Sequence, residues 1–418
     1  MQKIKKSYLL LPIFLLLTLS LPSCSETDVP DKIEIQELPS LTATDKVVVQ
    51  SANNFSLALF AKVNESNTDN NVFISPFSVS TALAMTLNGA NGETNEEIKK
   101  ILGYSALQNE EINLAYQKLV GFLISADPKT TIDVANSNWY SEEYSIKNDF
   151  EKVLLDYYDA EVKPANFNEI ATKDLINDWI EDNTNGKIKK ALDTISPDVV
   201  MYLINAIYFK ADWTYQFDES KTEDNIFYLP DGTSKMVPMM YSEGATIGYT
   251  IGQDFTLIDI PYGNGQFSFT AVMRSYNGGN EYDLNEMAES FSMDELTGLL
   301  ADTLKVTKEF YMPKFTLDFK ASLKPQLIEM GMSKPFVDAD FSNLFEQNIS
   351  VAIDDVMHQA FLEVNEKGSE AAAVTIVSIL PTSISGDHLT LDRSFLFFIR
   401  ENHTNTILFA GKLIDPTI

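Results

Sequence analysis

Hydrophobic residues recur with a helical period early in the chain. After Ser75, apolar side chains repeat every four positions at Val79, Leu83 and Leu87, and Gly89 follows. Serine is a preferred helix cap, and the proline after it suits the first helical position. The pattern therefore predicts a buried helix that is capped by Ser75 and stops at Gly89.

Two more segments carry the same period. Thr94 and Glu97 have the spacing of a capping box, which predicts a helix that is capped by Thr94 and ends at Gly103. Residues 172–186 gather their apolar side chains on one helix face before Gly186, which predicts a further amphipathic helix.

Other segments have the composition and period of strands. Residues 199–209 are apolar at both odd and even positions, which predicts a central strand covered on both faces. Asn205 lies in its middle and needs hydrogen-bond partners there. Residues 267–273 alternate along a strand, and residues 395–400 and 406–414 predict a closing pair of strands. Helices early and strands late favour an α+β fold.

The first residues have the pattern of an export signal. Residues 1–23 combine a basic start with an apolar run, and residues 21–24 resemble a bacterial lipobox, which predicts lipid attachment at Cys24. An ordinary secretory signal with an incidental cysteine is the alternative. Residues 24–45 are acidic and interrupted by prolines, which predicts a flexible tether, and residues 46–418 are expected to form one domain.

The composition limits which partners and which location we expect for the protein. There are 60 acidic and 31 basic residues, and the net charge of -29 repels phosphate backbones, so we expect no nucleic-acid partner. Cys24 is the only cysteine, which excludes an intramolecular disulfide. We expect an exported lipoprotein of the outer membrane that faces the periplasm or the cell surface.

The sequence contains few candidate residues for catalysis. Only three histidines are present, and a Ser-His-Asp triad would need one of them. His358 lies in a strand-like pattern, which favours a core histidine over a general base. His388 and His403 lie in polar surroundings typical of loops, without metal-ligand spacing around them. We therefore predict that the protein is not an enzyme and has no cofactor and no metal site.

Residues 366–388 are unusual for a connection between two strand-like segments. Their first half is small and unbranched, and their second half is extended and polar. Taken alone, this composition would suit an alanine-rich loop or a short helix.

Seven motifs occur in the order found in serpins. They are NVFISPFSVSTALAMTLNGANGET, INDWIEDNTNGKIKKAL, YLINAIYFKADW, DIPYGNGQFSFTAVM, MPKFTLDF, VMHQAFLEVNEKGSEAAA and RSFLFFIRENHTNTILFAGKLIDP. From about residue 50 to residue 418 the chain resembles the serpin family. The resemblance implies an α+β serpin fold with three β-sheets, about nine helices and an exposed reactive centre loop at about 366–388. It also implies a monomer.

The resemblance further implies a suicide-substrate inhibitor. A target serine protease cleaves the loop, remains attached as an acyl-enzyme, and is trapped when the cleaved loop inserts into the main sheet as a new strand. A central strand tolerates neither proline nor charge on a buried face. One face of the loop would carry only small or apolar side chains, namely Ser369, Ala371, Ala373, Thr375, Val377 and Ile379.

The resemblance assigns the loop positions. The hinge would comprise Gly368, Ser369, Glu370, Ala371, Ala372 and Ala373. Gly368 could supply a permissive turn. Counting fourteen residues from Gly368 places the scissile bond at Thr382-Ser383, with Ser383 or Leu380 as the next candidates for the reactive residue. Thr382 suits elastase-like or subtilisin-like proteases, and the absence of Lys and Arg between Gly368 and His388 disfavours trypsin-like ones.

The resemblance also assigns residues outside the loop. Ser75, Ser78, Asn205 and His358 match the polar cluster called the shutter, beneath the main sheet, and Trp213 matches the tryptophan at the breach, where insertion begins.

Three functions compete. The first is inhibition of elastase-like serine proteases, and of some cysteine proteases. The second is a non-inhibitory serpin that acts as a surface carrier or adhesin. The third, a glycan-handling lipoprotein, rests only on the predicted anchor, while a hydrolase lacks a base and a nucleophile.

Overall fold

The computed structural model describes residues 40–196, 198–275, 283–369 and 388–418. The predicted signal peptide, Cys24, and most of the segment 366–388 lie outside the described residues. The described elements belong to one compact unit, Gln36–Ile418. Within them, no helix is both long enough and apolar enough to cross a membrane.

Nine α-helices occur in the described residues. They are α1 (Ala43–Glu65), α2 (Pro76–Leu87), α3 (Gly92–Leu102), α4 (Asn109–Ser125), α5 (Asn148–Tyr158), α6 (Ile170–Asn183), α7 (Leu284–Ser290), α8 (Met293–Ala301) and α9 (Lys324–Glu329). Short 3-10 helices cover Glu219–Lys221 and Lys334–Phe336. Helix α1 begins within the last residues of the predicted tether, because Thr42 and Asp45 form a capping box there.

Fifteen strands occur in the described residues, and most of them follow α6. They are β1 (Val72–Ile74), β2 (Thr130–Ser141), β3 (Glu161–Ala165), β4 (Met201–Asp212), β5 (Glu223–Tyr228), β6 (Ser234–Ile251), β7 (Phe255–Tyr262), β8 (Phe267–Arg274), β9 (Leu304–Pro313), β10 (Phe315–Ser322), β11 (Met357–Val364), β12 (Gly368–Ser369), β13 (His388–Thr390), β14 (Phe395–Glu401) and β15 (Ile407–Leu413). The mixture of helices and strands confirms the predicted α+β class.

Two of the three predicted helices are confirmed, and the third begins elsewhere. Ser75 caps α2 by accepting the Ser78 backbone N–H at 3.2 Å. Helix α6 buries the predicted face. Helix α3 begins at Gly92, so the capping box predicted for it is wrong. The Thr94 hydroxyl instead accepts the backbone N–H of Asp340, and Glu97 accepts two N–H groups of a distant loop.

The larger sheet has nine strands in the order β1-β15-β14-β8-β7-β6-β9-β13, with β5 on β6. The predicted closing pair, β14 and β15, is present and is antiparallel. Strand β6 is 18 residues long and continues through an irregularity between Ser242 and Ala245. Hydrogen bonding therefore joins the described strands into two sheets, where the resemblance implies three. His388 begins β13, so its assignment to a loop is wrong.

In the described part of the chain, the smaller sheet has six strands in the order β10-β11-β12-β4-β2-β3. Strand β4, predicted at 199–209, pairs with β2 over eleven residues, from Met201 to Ala211. On its other side, β12 pairs with Ala211 and Asp212. The two faces of β4 serve different cores: Phe209 and Ala211 join the main core, while Ala206 packs in a smaller one beneath α6.

One buried amide in β2 lacks partners. Asn138 is fully buried, and neither polar atom of its side chain has a hydrogen-bond partner. Asn136, two residues earlier on the same face, donates to the Tyr158 carbonyl and accepts from Asn205, both at 2.7 Å. Burying an unsatisfied polar group costs about 1–3 kcal/mol.

We expect Asn138→Leu to raise the free energy of unfolding by about 1–3 kcal/mol, because it replaces an orphaned amide with an apolar side chain that has the same branched arrangement of four heavy atoms. Urea unfolding monitored by circular dichroism measures the change. Asn136→Leu is the matched control, and it should destabilise the protein because it breaks two hydrogen bonds. A destabilised Asn138→Leu variant would contradict the prediction.

Candidate functional site: the space between β4 and β11

The two central strands of the smaller sheet are connected only at one end. Among the described residues, β4 and β11 make no pairing with each other, and β12 alone bridges them. Gly368 lies opposite Asp212, and Ser369 lies opposite both Ala211 and Val364. Toward the amino ends of β4 and β11, a cavity of about 900 Å³ separates the strands above α2.

Trp213 holds the bridged end. Its indole N–H donates to the Asn365 carbonyl, and its backbone N–H donates to the Lys367 carbonyl, both at 2.8 Å. Its ring stacks on Tyr262 with centroids 4.4 Å apart. The Tyr262 hydroxyl shares a 2.6 Å hydrogen bond with Ser369. Trp213, which the resemblance assigns to the breach, therefore lies where β12 enters the sheet.

A buried carboxylate strengthens the same end. Glu366 accepts from Lys314 at 2.9 Å and from Thr222 at 2.8 Å, and its carbonyl accepts the Phe217 N–H. Burial raises the pKa of the Glu366 carboxyl, but the hydrogen bonds from Lys314 and Thr222 outweigh it, so the pKa lies below its ordinary value. Glu366, two residues before β12, is thus tied to Lys314 between β9 and β10.

The first turn of α2 contacts both separated strands. The backbone N–H of Ser75 donates to His358 Nε2 on β11 at 3.0 Å. The Ser78 hydroxyl donates to the Asn205 carbonyl on β4 at 3.1 Å. The structure therefore brings the four predicted shutter residues to one helix end, two on each side of the opening.

The two strand residues of this cluster are not bonded to each other. Asn205 Nδ2 donates to Asn136 on β2, and Asn205 Oδ1 is buried without a partner. His358 is a buried core histidine, as predicted, and burial lowers its pKa to about 4. It is neutral at neutral pH, so Nε2 can accept the Ser75 N–H.

Gly368 is needed for a reason other than the predicted turn. Its φ does not lie in the left-handed region, whereas a Cβ built on it would lie 2.0 Å from the Ala211 carbonyl oxygen and 2.7 Å from Asp212 Cα. Both contacts are with backbone, which cannot move aside cheaply. The glycine therefore allows β12 to approach β4 closely.

A comparison with protein families identifies the fold. The family described as Serpin (serine protease inhibitor) matches residues 50–416. The chain belongs to the serpin family. Serpins are mostly inhibitors of serine proteases rather than enzymes.

Three relatives illustrate the likeness. The leukocyte elastase inhibitor of Xenopus tropicalis is 31% identical over 370 residues, which cover 87% of this chain and 97% of that protein. Human thyroxine-binding globulin, solved in complex with thyroxine, superposes with a TM-score of 0.80 at 29% identity, covering 90% of this chain and 100% of the other. The thermophilic serpin tengpin in its native state gives a TM-score of 0.77 at 30% identity, covering 91% and 96%.

Some of the predicted site residues lie outside the described part of the chain, and the structure adds site residues that the sequence did not indicate. Outside them lie Cys24, Glu370, Ala371, Ala372, Ala373, Thr382 and Ser383. Sequence reasoning gave no role to Tyr262, although it stands in the motif DIPYGNGQFSFTAVM, and it missed the Glu366–Lys314 pair. The described part of this serpin holds no group of three His, Cys, Asp or Glu residues suited to a metal.

We expect Gly368→Ala to prevent β12 from pairing with β4, because the added methyl group would collide with backbone atoms. Hydrogen exchange should show faster exchange around Ala211 and Asp212 in the variant. Gly121→Ala, with open space around its Cβ, is the control and should leave these amides unchanged. Unaltered protection in Gly368→Ala would contradict the close approach.

We expect the native state to lose stability as the pH falls from about 6.5 to about 4. Above 6.5, His358 is neutral in both folded and unfolded chains. Between the two pKa values only the unfolded chain binds the proton, which costs the folded state about 3 kcal/mol in total. Unfolding free energies of the wild type and His358→Gln across this range measure the effect. Equal pH slopes in the two proteins would contradict it.

Proposed function

We propose that this serpin inhibits serine proteases by trapping the acyl-enzyme, with its cleaved loop inserted between β4 and β11. The observation that carries the proposal is the separation of these strands, with β12 already between them at one end. A strand that enters this space can hydrogen-bond on both sides. The cavity of about 900 Å³ marks room for it toward the other end.

The register of β12 predicts how far insertion can run. Ser369 lies opposite Ala211, so unbroken antiparallel pairing would place Ile379, ten residues on, opposite Met201 at the start of β4. On the other side, Ser369 lies opposite Val364, and Ile376 would lie opposite Met357 at the start of β11. Both strands would therefore be paired before Pro381, which a central strand does not tolerate.

The orientation of Ser369 predicts which face of the inserted strand is buried in the main core. Its side chain is 1% exposed and contacts Tyr262. Alternate residues share a face, so Ala371, Ala373 and the following odd-numbered residues would also point to the main core. These side chains are small or apolar, as burial requires.

Insertion would be energetically favourable. It would add roughly ten hydrogen bonds, each of which nets about 1 kcal/mol, and would bury apolar side chains as well. The native fold is then a metastable state in which strain is released after cleavage, as in loop-insertion switches.

We propose elastase-like or subtilisin-like proteases as targets, with the scissile bond at Thr382-Ser383. The medium-sized, β-branched Thr382 fits a shallow primary pocket, and no Lys or Arg occurs between Gly368 and His388. The similarity to a leukocyte elastase inhibitor supports this class. Some cysteine proteases are a further candidate class.

The test is to mix the protein with neutrophil or pancreatic elastase and to analyse the products on a denaturing gel with mass spectrometry. We expect a covalent complex and a released peptide that begins at Ser383. Thr382→Arg is the matched variant: it should lose the complex with elastase and gain one with trypsin. Complete loop cleavage without a covalent band, at undiminished elastase activity, would defeat the inhibitory proposal for this class.

A non-inhibitory carrier or surface-binding lipoprotein is the second candidate. The likeness to thyroxine-binding globulin, a serpin solved with a bound small molecule, favours it. Heat stability after loop cleavage separates the two functions, because insertion of the loop stabilises the sheet. Cleaved protein that unfolds at the temperature of the intact protein would support the carrier.

We also propose that Cys24 carries a lipid that holds the domain at the outer membrane through residues 24–45, on the periplasmic or the external face. The support is the sequence pattern of residues 1–24.

A further inference from the structure

We propose that Tyr262 is a positioning residue that holds Ser369 in the sheet and so provides the nucleus from which the cleaved loop inserts. This inference rests on the proposed function. The geometry that points to it is the 2.6 Å hydrogen bond between the hydroxyls of Tyr262 and Ser369, which joins the end of β7 to the first loop residue in the smaller sheet.

The Tyr262 ring has little freedom to move. It is fully buried, stacks on Trp213 at 4.4 Å, and meets the Phe209 ring edge-on at 5.3 Å. Trp213 and Tyr262 also form a backbone bridge. The direction of the phenol hydroxyl is therefore fixed by packing, and a buried hydroxyl needs a partner. Ser369, 1% exposed, provides that partner from β12 in the smaller sheet.

The hydrogen bond fixes both the position and the register of the first residue. Ser369 already pairs with Ala211 on β4 and with Val364 on β11. Placing a first residue between two strands costs chain entropy before later hydrogen bonds compensate for it. Because Ser369 is in place before cleavage, the loop can add residues to an existing pair.

The speed of insertion decides the outcome of the reaction with a protease. After acylation, insertion competes with hydrolysis of the acyl-enzyme, which releases active protease and cleaved serpin. The number of serpin molecules consumed per trapped protease reports this competition. Without this hydrogen bond, the balance between Ser369 seated in the sheet and Ser369 outside it should shift about fivefold toward the outside form, and insertion, which starts from the seated form, slows by up to the same factor. The excess of serpin consumed over protease trapped should rise by the same factor.

The experiment measures this stoichiometry with elastase for the wild type and for Tyr262→Phe. We expect about a fivefold rise in the excess, with the association rate little changed. Ser369→Ala should give the same rise while leaving the ring stack intact. Ser369→Thr, which keeps a hydroxyl, should retain wild-type behaviour, a rescue that loss of packing alone does not predict.

Tyr104→Phe is the matched control. Tyr104 and Tyr116 share a hydrogen bond of 3.1 Å between fully buried hydroxyls, beside the Val48 carbonyl of α1 rather than beside β12. This variant should lose stability without a change in stoichiometry. An unchanged or lower stoichiometry in both Tyr262→Phe and Ser369→Ala would overturn the proposal, as would an equal rise in Tyr104→Phe.

A second measurement does not depend on trapping. The loop is cut with a protease that is not trapped, and the rate at which the cleaved serpin gains heat resistance is followed. Slower gain in Tyr262→Phe supports the nucleus even if elastase is not the target, and equal rates overturn it. If the wild type gains no heat resistance, loop insertion itself fails, and the proposed function falls together with this inference.

Discussion

The close approach of β12 to the backbone of β4 is the constraint on which the rest of the structure depends. At Gly368 the space that a Cβ would need is occupied by the Ala211 carbonyl oxygen. Because a side chain cannot fit there, the chain can enter the sheet at this point only through glycine. With β12 in place, β4 and β11 belong to one sheet although they are not paired with each other among the described residues.

Two different kinds of interaction hold the separated strands. At the bridged end the contacts are rigid and extensive: Trp213 receives the chain through two hydrogen bonds, and Glu366 is fixed by Lys314. At the other end, single hydrogen bonds from the first turn of α2 reach His358 and Asn205. A sheet held in this way would open more readily at the α2 end, which is where an inserted strand would finish.

The sequence predicted this architecture unevenly, for identifiable reasons. Helix α2 was predictable because its cap, its period and its stop are all local. The capping box of α3 was misassigned because Thr94 and Glu97 bond to a loop about 240 residues away. Local sequence spacing does not reveal a tertiary contact of this kind. Strand β4 was predictable because its two faces contribute apolar side chains to two different cores, which leaves a continuous apolar run.

The residues of the candidate site also differ in how far the sequence predicts them. Asn205 was identifiable as a buried polar residue in an apolar strand, but its partner Asn136 lies in another strand. Gly368 was correctly singled out for the wrong reason, because a close backbone approach and a turn leave the same mark on a sequence. The role of Tyr262 was not predictable although the residue stands in the motif DIPYGNGQFSFTAVM, since that role depends on Trp213, which stacks on its ring, and on Ser369, which bonds to its hydroxyl. The role of a residue that binds another segment of the chain can be recognised only when the structure shows both segments.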